Sequence, residues 1–291
     1  MHWQTSRFRI DLSRPRVMGI VNATPDSFSD GGACFAPAAA LRHCEDLLRE
    51  GADLLDIGGE SSRPGAAPVP LEEELARVEP VLREAVKLGV PVSVDTFKPE
   101  VMQRALDLGV DIINDIRALQ EPGAALVVAR HGACGVCLMH MHRDPQTMQL
   151  QPMDGDVLPQ VHGFLAQAAA RLRVLGVDAQ RIVLDPGIGF GKTVAQNFSL
   201  LARQAELAEL GYPLLVGWSR KSSLAAAVTP AGGEAPAPHE RLGASVAAAL
   251  LAVERGARIV RVHDVRDTVQ ALRVREAMRA QSTDIKNDSN H

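Results

Sequence analysis

Polar side chains that could bind a ligand or stabilise charge follow a series of short apolar runs in this 291-residue sequence. A single Asp or Asn at such a position is more often a helix cap or a turn former than a catalyst. Several of them around one cavity would instead form a polar binding site. The candidates are Asn22, Asp56, Asp95, Asn114, His140, Asp185, Arg261 and His263. Of these, we interpret Asp56 only as a brace for the loop that follows it.

The segment DPGIGFGKT (185–193) invites a nucleotide interpretation that its spacing does not support. A phosphate-binding P-loop has four residues between its first glycine and the Gly-Lys pair, whereas only three separate Gly187 from Gly191. The glycines also lack the spacing of the dinucleotide fingerprint. A tight turn that lets a flat ligand approach the backbone beside Asp185 fits the segment better.

Two further motifs carry positive charge that suits an anion. In GWSRKSS (217–223), Lys221 and Arg220 stand at a predicted helix start, where free N–H groups also attract anions. In RVHDV (261–265), strand alternation places Arg261 and His263 on the same face. This pair could bind a phosphate, with the arginine as a forked donor.

The elements that must position these residues repeat along the chain. Seven helix-like stretches end at a glycine and are followed by a short apolar strand, and an eighth strand at 17–22 opens the series. Strands separated by helices pair in parallel, so the pattern predicts an α/β fold, a (β/α)8 TIM barrel with its site at the C-terminal strand ends. The glycines are Gly51, Gly89, Gly109, Gly132, Gly176, Gly211 and Gly256.

The alternation of strands and helices continues without a linker, which predicts a single barrel domain over residues 1–281. The polar residues 282–291 are predicted to form a disordered tail. Long loops rich in Gly, Pro and Ser follow the first and second strands (22–36 and 58–70). Such loops are uncommon without a function, so we expect a mobile lid over the mouth. A flexible insertion is predicted around 229–240, ahead of the last core helix.

Composition excludes several classes of protein. The net charge of −4, the lack of a basic run and the 3% aromatic content argue against a nucleic-acid partner. No stretch approaches the length of a membrane span, and the N-terminus lacks the apolar core of a signal peptide. We therefore expect a cytoplasmic protein.

The four cysteines are too few and too scattered for a disulfide framework. Cys134 and Cys137, followed by His140 and His142, superficially resemble a zinc site. If 136–140 is a strand, the two thiols point to opposite faces and cannot share a metal. Buried apolar cysteine is the better interpretation.

Taken together, these segments resemble dihydropteroate synthase of folate biosynthesis. The matching stretches run from the first strand to the last: MGIVNATPDSFSDGG (18–32), GADLLDIGGESSRPGA (51–66), PVSVDTFKPEV (91–101), GVDIINDI (109–116), LMHM (138–141), VLDPGIGFGKT (183–193), GWSRKS (217–222) and RVHDV (261–265). The resemblance implies a barrel enzyme, usually a homodimer, that condenses a pterin methyl diphosphate with 4-aminobenzoate. Pyrophosphate is released, and Mg²⁺ is the implied cofactor.

The resemblance also implies residue roles. It implies that the polar edge of the pterin is bound by Asp185, Lys221, Asp95 and Asn114, above an apolar floor of Met139 and Gly217. It implies that Asn22 is a ligand of Mg²⁺ and that the diphosphate is bound by Arg63, Arg261 and His263, with Val262 as a further substrate-binding residue. For 4-aminobenzoate it implies Phe28, Ser62, Pro64, Phe190 and Ser222. Asp95, Lys221, Arg261 and His263 are the implied catalytic residues.

We expect pyrophosphate to depart before the amine attacks, because the pterin ring can delocalise the developing cation and buried carboxylates can stabilise it. Two alternatives remain. A pterin-dependent methyltransferase shares the barrel and the pterin edge, but it would not need SSRPG or SRKS, and the chain has no second region for a corrinoid. A non-catalytic pterin-binding paralogue would have been free to lose the charged set that this chain retains.

Overall fold

Eight parallel strands close into a barrel in the computed structural model, which describes residues 1–24, 36–63 and 65–288. Each strand pairs with the next along the chain, and the last pairs with the first to close the ring. After a hairpin of β1 (His2–Gln4) and β2 (Arg9–Asp11), the barrel strands are β3 (Arg16–Asn22), β4 (Leu54–Gly58), β5 (Val92–Asp95), β6 (Ile112–Asp115), β7 (Gly135–Met139), β8 (Ile182–Asp185), β9 (Leu214–Val216) and β10 (Ala257–Val262). The predicted TIM barrel is confirmed.

Helices cover the outside of the barrel between the strands. The seven predicted glycines at or near helix ends all have positive φ, which an L side chain rarely adopts. One predicted helix near 196–210 is divided at Arg203. The helices are α1 (Ala36–Glu50), α2 (Leu71–Ala85), α3 (Pro99–Asp107), α4 (Ala124–His131), α5 (Val157–Val174), α6 (Val194–Ala202), α7 (Gln204–Ala208), α8 (Ser222–Val228), α9 (Leu242–Glu254) and α10 (Val265–Asp288).

The N-terminal hairpin closes the end of the barrel opposite the mouth, and the sequence did not predict it. Trp3 is fully buried, and its indole Nε1 donates to the carbonyl of Arg181 at 2.9 Å. Ile10 and Leu12 pack beside it on the inward residues at the bottom of the strands, which include Met18 and Leu54. Burying one large apolar side chain stabilises a fold by about 2–3 kcal/mol, so the hairpin contributes to the core itself.

Side-chain alternation separates an inner layer from an outer one. Cys137 points into the barrel, whereas Cys134 packs outside it against the helices, as alternation predicted. The described residues contain no group of three or more His, Cys, Asp or Glu side chains that could hold a metal ion. The zinc interpretation therefore gains no support.

Two peripheral segments differ from expectation. Helix α10 continues to Asp288, so residues 282–288 extend a helix where we expected a disordered tail. The segment predicted as an insertion ends in a short 3-10 helix (Pro238–Arg241), and Arg241 donates to the carbonyls of Pro236 and Arg220 at 2.9 and 2.8 Å.

Residues 25–35, which make up most of the first long loop, lie outside the described residues. Within the described ranges, no helix is long and apolar enough to cross a membrane.

Candidate active site

The predicted site residues end neighbouring strands at one mouth of the barrel. Strand register pairs Gly58 with Asp95 and Asp95 with Asn114, and on the far side it pairs Met139 with Asp185. All of these residues stand at the carboxyl ends of their strands, and the side chains of Asp95, Asn114, Met139 and Asp185 point inward, because alternate residues of a barrel strand face the interior. Side chains that are distant in sequence therefore line a single cavity.

Arg261 joins two carboxylates inside this cavity. Its Nε donates to Asp56 Oδ2 at 2.6 Å, and its Nη2 donates to Asp95 Oδ2 at 2.7 Å. Asn114 Nδ2 donates to the same Asp56 oxygen at 3.0 Å. Asp56 is fully buried, so the interpretation of this residue as a loop brace is wrong. The signal was available in the sequence, since alternation from Leu54 places Asp56 on the inward face.

Burial shifts the titration of the acidic residues in the site. It raises the pKa of Asp95 to about 7, although Arg261 opposes the shift. It also raises the pKa of Asp185, against the influence of Lys221 and of the hydrogen bond from Gly187. Desolvation lowers the pKa of Lys221 to about 8, while Asp185 acts in the opposite direction. Asp185 and Lys221 therefore influence each other, and Arg261 interacts with the charges of both Asp95 and Asp185. All of these side chains are poorly solvated, which would favour a ligand with complementary donors and acceptors.

The glycine-rich turn after β8 is shaped by protein packing. Gly187 donates its N–H to Asp185 Oδ1 at 2.7 Å and has φ of +65°. A Cβ at this position would lie 1.8 Å from the carbonyl oxygen of His140. A Cβ at Gly191 would lie 2.6 Å from His142. The glycines are therefore needed where the turn meets the loop after β7, a reason different from the ligand approach that we expected.

Lys192 secures the same turn, although no sequence pattern distinguishes it. Its buried Nζ donates to the carbonyls of Gly187 and Phe190 at 2.8 and 3.1 Å, and lies 2.9 Å from His140 Nδ1. Burial and then Lys192 lower the pKa of His140 to about 3. His140 thus supports the turn from outside the barrel, and it does not reach the mouth as its strand-end position suggested.

The two cations of the SRKS motif separate. The Lys221 Nζ donates to the carbonyl of Ile188 and lies 4.8 Å from the ring centroid of Phe190. Arg220, which has φ of 61°, turns away and pairs with Asp264. The expectation that both cations face an anion is therefore wrong for Arg220, because Asp264 already neutralises it.

Residues around the rim of the mouth complete the predicted set. Gly217 follows β9, and Ser222 is exposed at the start of α8. Ser62 is half-buried and Arg63 is exposed, whereas Phe28 and Pro64 lie outside the described residues. The expectation that the Val262 side chain contacts the ligand is corrected, because this side chain packs in the core outside the barrel. Only its backbone can border the mouth.

His263 is held by Ser219, a residue that sequence patterns do not indicate. Ser219 Oγ lies 3.0 Å from His263 Nδ1. Burial, then Arg220 and Arg261, lower the pKa of His263 to about 3, and Arg63 contributes in the same direction from the second loop. The imidazole is therefore neutral at physiological pH.

The base of the second long loop is fixed by buried charge. Lys98 donates to both Glu60 and Glu74, and Glu74 is 1% exposed. Arg77 donates to the carbonyl of Gly59 at 2.8 Å. The start of the segment that carries Ser62 and Arg63 is thus tied to α2 and to the loop after β5.

Asn22 ends β3 at the rim of the mouth and supplies one amide oxygen. One such oxygen does not hold Mg²⁺ alone, but this ion keeps several waters and binds largely through substrate phosphates. The residues present therefore fit a Mg²⁺ ion that arrives with a diphosphate.

Comparison with known proteins agrees with this geometry. Residues 18–263 match the family described as Pterin binding enzyme. The chain is 53% identical to the dihydropteroate synthase of Neisseria meningitidis serogroup B over 95% of its length and 97% of the relative's. It follows that the chain belongs to the pterin-binding enzyme family, within which it resembles the dihydropteroate synthases.

Solved structures extend the likeness to ligand-bound proteins. The dihydropteroate synthase of Burkholderia cenocepacia, complexed with 7,8-dihydropteroate, is 52% identical, with a TM-score of 0.87 over 97% of this chain and 98% of the other. That of Xanthomonas albilineans, with 4-aminobenzoic acid, is 50% identical, with a TM-score of 0.86 over 94% and 96%. The predicted family is confirmed.

Proposed function

We infer that this protein is a dihydropteroate synthase, which condenses 6-hydroxymethyl-7,8-dihydropterin diphosphate with 4-aminobenzoate to give 7,8-dihydropteroate and pyrophosphate. The observation that carries the inference is the convergence of Asp95, Asn114, Asp185 and Lys221 on one buried mouth. The relatives bound to 7,8-dihydropteroate and to 4-aminobenzoic acid support the same substrates.

The pterin's pyrimidine edge carries neighbouring N–H donors that suit carboxylate acceptors. Gly187 occupies one oxygen of Asp185, and the other oxygen is available to the ring. Lys221 would donate to ring acceptors, with Asp95 and Asn114 completing the edge. Met139 and Gly217 would form the apolar floor. A flat heterocycle matches this arrangement because its polar atoms lie at its rim and its faces are apolar.

The diphosphate would lie at the rim, against Arg63, Arg261 and His263. Arg261 uses Nε and Nη2 for the two carboxylates, and its Nη1 makes no hydrogen bond to any described residue. That atom is therefore suited to a phosphate oxygen. Asn22 would hold Mg²⁺ together with the substrate, and the ion when bound would offset the negative charge of the departing pyrophosphate.

In the proposed reaction, the bond from the exocyclic carbon to the diphosphate breaks first. The pterin ring spreads the developing positive charge, and the ionised form of Asp95 stabilises it across a site of low dielectric. The amine of 4-aminobenzoate then attacks this carbon and afterwards loses a proton. Ser62, Phe190 and Ser222 would hold the 4-aminobenzoate, together with Phe28 and Pro64. Closure of the second long loop (58–70) would help to keep water from capturing the cation.

We also propose that the active form is a homodimer, as the family resemblance implies. Apolar side chains are exposed on three adjacent helices at one side of the barrel: Val228 on α8, Leu251 on α9 and Val274 on α10, with exposed fractions of 49, 46 and 72%. A second copy would cover such side chains. Light scattering after size-exclusion chromatography should give twice the monomer mass of 31.2 kDa.

A condensation assay tests the function directly. Purified protein with Mg²⁺, the pterin diphosphate and 4-aminobenzoate should release pyrophosphate and form 7,8-dihydropteroate, and a sulfonamide should raise the apparent KM for 4-aminobenzoate. Lys221→Ala should lower the rate by about 100-fold or more. Tight pterin binding without turnover would instead indicate a binding protein, and transfer of a methyl group from a methylated folate would indicate a methyltransferase.

A further inference from the structure

Asp56 lies one layer deeper in the barrel than the residues assigned to the pterin. Register places it beside Ile20 on one neighbouring strand and Ser93 on the other, below the level at which Gly58 pairs with Asp95. It is fully buried. Its Oδ2 receives hydrogen bonds from both Arg261 and Asn114, at 2.6 and 3.0 Å.

Asp56 Oδ2 accepts hydrogen bonds from both Asn114 Nδ2 and Arg261 Nε, and this fixes the orientation of the Asn114 amide. The NH₂ group of Asn114 must face Asp56, so its carbonyl oxygen faces away from that carboxylate. An amide free to rotate could present either a donor or an acceptor to a ligand. With Asp56 beneath it, Asn114 presents the acceptor, which is the group that the N–H edge of a pterin needs.

The same oxygen fixes the plane of Arg261. Nε is bound to Asp56 and Nη2 to Asp95, and two anchors on a rigid planar group leave it no rotational freedom. The remaining nitrogen, Nη1, is then held in one direction. Asp56 therefore connects a group proposed to read the pterin with one proposed to bind the diphosphate.

We propose that Asp56 is a positioning residue for pterin recognition, which orients the Asn114 amide and the Arg261 guanidinium without needing to touch the ligand. The proposal rests on the proposed function, because it concerns the same site. The competing explanation is that Asp56 is only a buried structural ion pair, and the two make different predictions for ligand binding.

A double-mutant cycle distinguishes the positioning role of Asp56 from a purely structural one. Calorimetry with 6-hydroxymethyl-7,8-dihydropterin, which carries no diphosphate, is applied to Asp56→Ala, Asn114→Ala and the double variant. Each single variant should raise the Kd by about tenfold or more. If Asp56 acts through Asn114, the double variant should bind no more than about twofold worse than Asn114→Ala. Additive losses would overturn the proposal.

Asp111 offers a matched control. It is also a fully buried carboxylate paired with an arginine, since Arg7 Nη2 donates to it at 2.6 Å, but it lies at the opposite end of the barrel. Asp111→Ala should lower the melting temperature and leave the pterin Kd unchanged. If it weakens pterin binding as much as Asp56→Ala does, the effect is general destabilisation and the proposal fails.

An isosteric variant covers the case in which Asp56→Ala does not fold. The single oxygen of Asp56→Asn can still accept from Asn114 and Arg261, so this variant should retain pterin affinity within about fivefold and the KM for 4-aminobenzoate within about twofold. A loss of a hundredfold or more would show that the charge matters and the orientation does not. Failure of the wild-type protein to bind the pterin would refute the proposed function itself, whereas a wild-type Kd in Asp56→Ala would refute only the positioning role.

Discussion

The hydroxyl of Ser219 lies 3.0 Å from Nδ1 of His263 and accepts a hydrogen bond from the backbone N–H of the same histidine at 3.2 Å. The hydroxyl keeps its own proton, which it can donate to Nδ1. Because burial lowers the pKa of His263 to about 3, the ring is neutral. We predict that Ser219 donates to Nδ1 and that the ring carries its single proton on Nε2. The predicted tautomer would leave His263 one N–H for the phosphate oxygen that we propose it binds.

Ser219→Ala should remove the preference of His263 for the tautomer protonated on Nε2. With Nδ1 no longer receiving a proton, the two neutral tautomers should mix, and the KM for the pterin diphosphate should rise about threefold to tenfold. The KM for 4-aminobenzoate should change little. Nitrogen-15 chemical shifts of the imidazole report the tautomer directly, and a wild-type ring protonated on Nδ1 would contradict this account.

Ser245→Ala is the matched control. Ser245 is also a buried serine beside the same motif, but it accepts from the backbone of Arg220 at 2.9 Å and donates to the carbonyl of Arg241 at 2.7 Å. Its loss should affect stability and leave the tautomer of His263 as it is in the wild type.

The barrel was predictable because seven of its eight strands show the same local pattern. In each, a short apolar run follows a helix that ends near a glycine, such as Gly89 or Gly176. The hairpin was not, since its strands of three residues are too short to show a period. Trp3 donates to the carbonyl of Arg181, 178 residues later in the chain, and no local pattern indicates that contact.

Within the site, residue types at strand ends identified the cavity, but pairings across the barrel decided roles. One of the two hydrogen bonds to Asp56 comes from Arg261, 205 positions away, and no local pattern contains that information. Arg220 and Lys221 are adjacent cations, and sequence alone does not distinguish them. The position of Asp264, which pairs with Arg220, leaves Lys221 to face the mouth.

His140 predicts a pH dependence of stability. Its pKa is about 3 in the folded protein and about 6.5 when unfolded, so below pH 6.5 the unfolded state binds an extra proton. Stability should therefore fall as the pH drops from 6.5 towards 3, by at most about 1.4 kcal/mol per unit from this residue. His140→Gln should make the decline shallower. Urea unfolding at pH 7 and pH 5 measures the change, and equal slopes in the two proteins would refute it.

Gly187→Ala should be far more damaging than Gly89→Ala. Both glycines have positive φ, +65° and +77°, so both substitutions incur the backbone cost of about 1–2 kcal/mol. Only at Gly187 does the new Cβ meet a backbone oxygen at 1.8 Å, whereas nothing lies within 4 Å at Gly89. The added clash should bring the loss to about 3 kcal/mol or more. Chemical denaturation compares the two, and equal losses would show that the turn relaxes freely.

Asp185→Asn should abolish measurable pterin binding without unfolding the protein. Gly187 donates its N–H to one oxygen of Asp185, so the oxygen of the substituted amide should take that position and its NH₂ group should face the ligand. An acceptor would thereby be exchanged for a donor that opposes the donors of the pyrimidine edge, which costs far more than a lost contact. Calorimetry should show at least a hundredfold increase in Kd, with a melting temperature close to that of the wild type. Binding near the wild-type level would mean that Asp185 does not hold the pterin, and the assignment of the mouth would have to be revised.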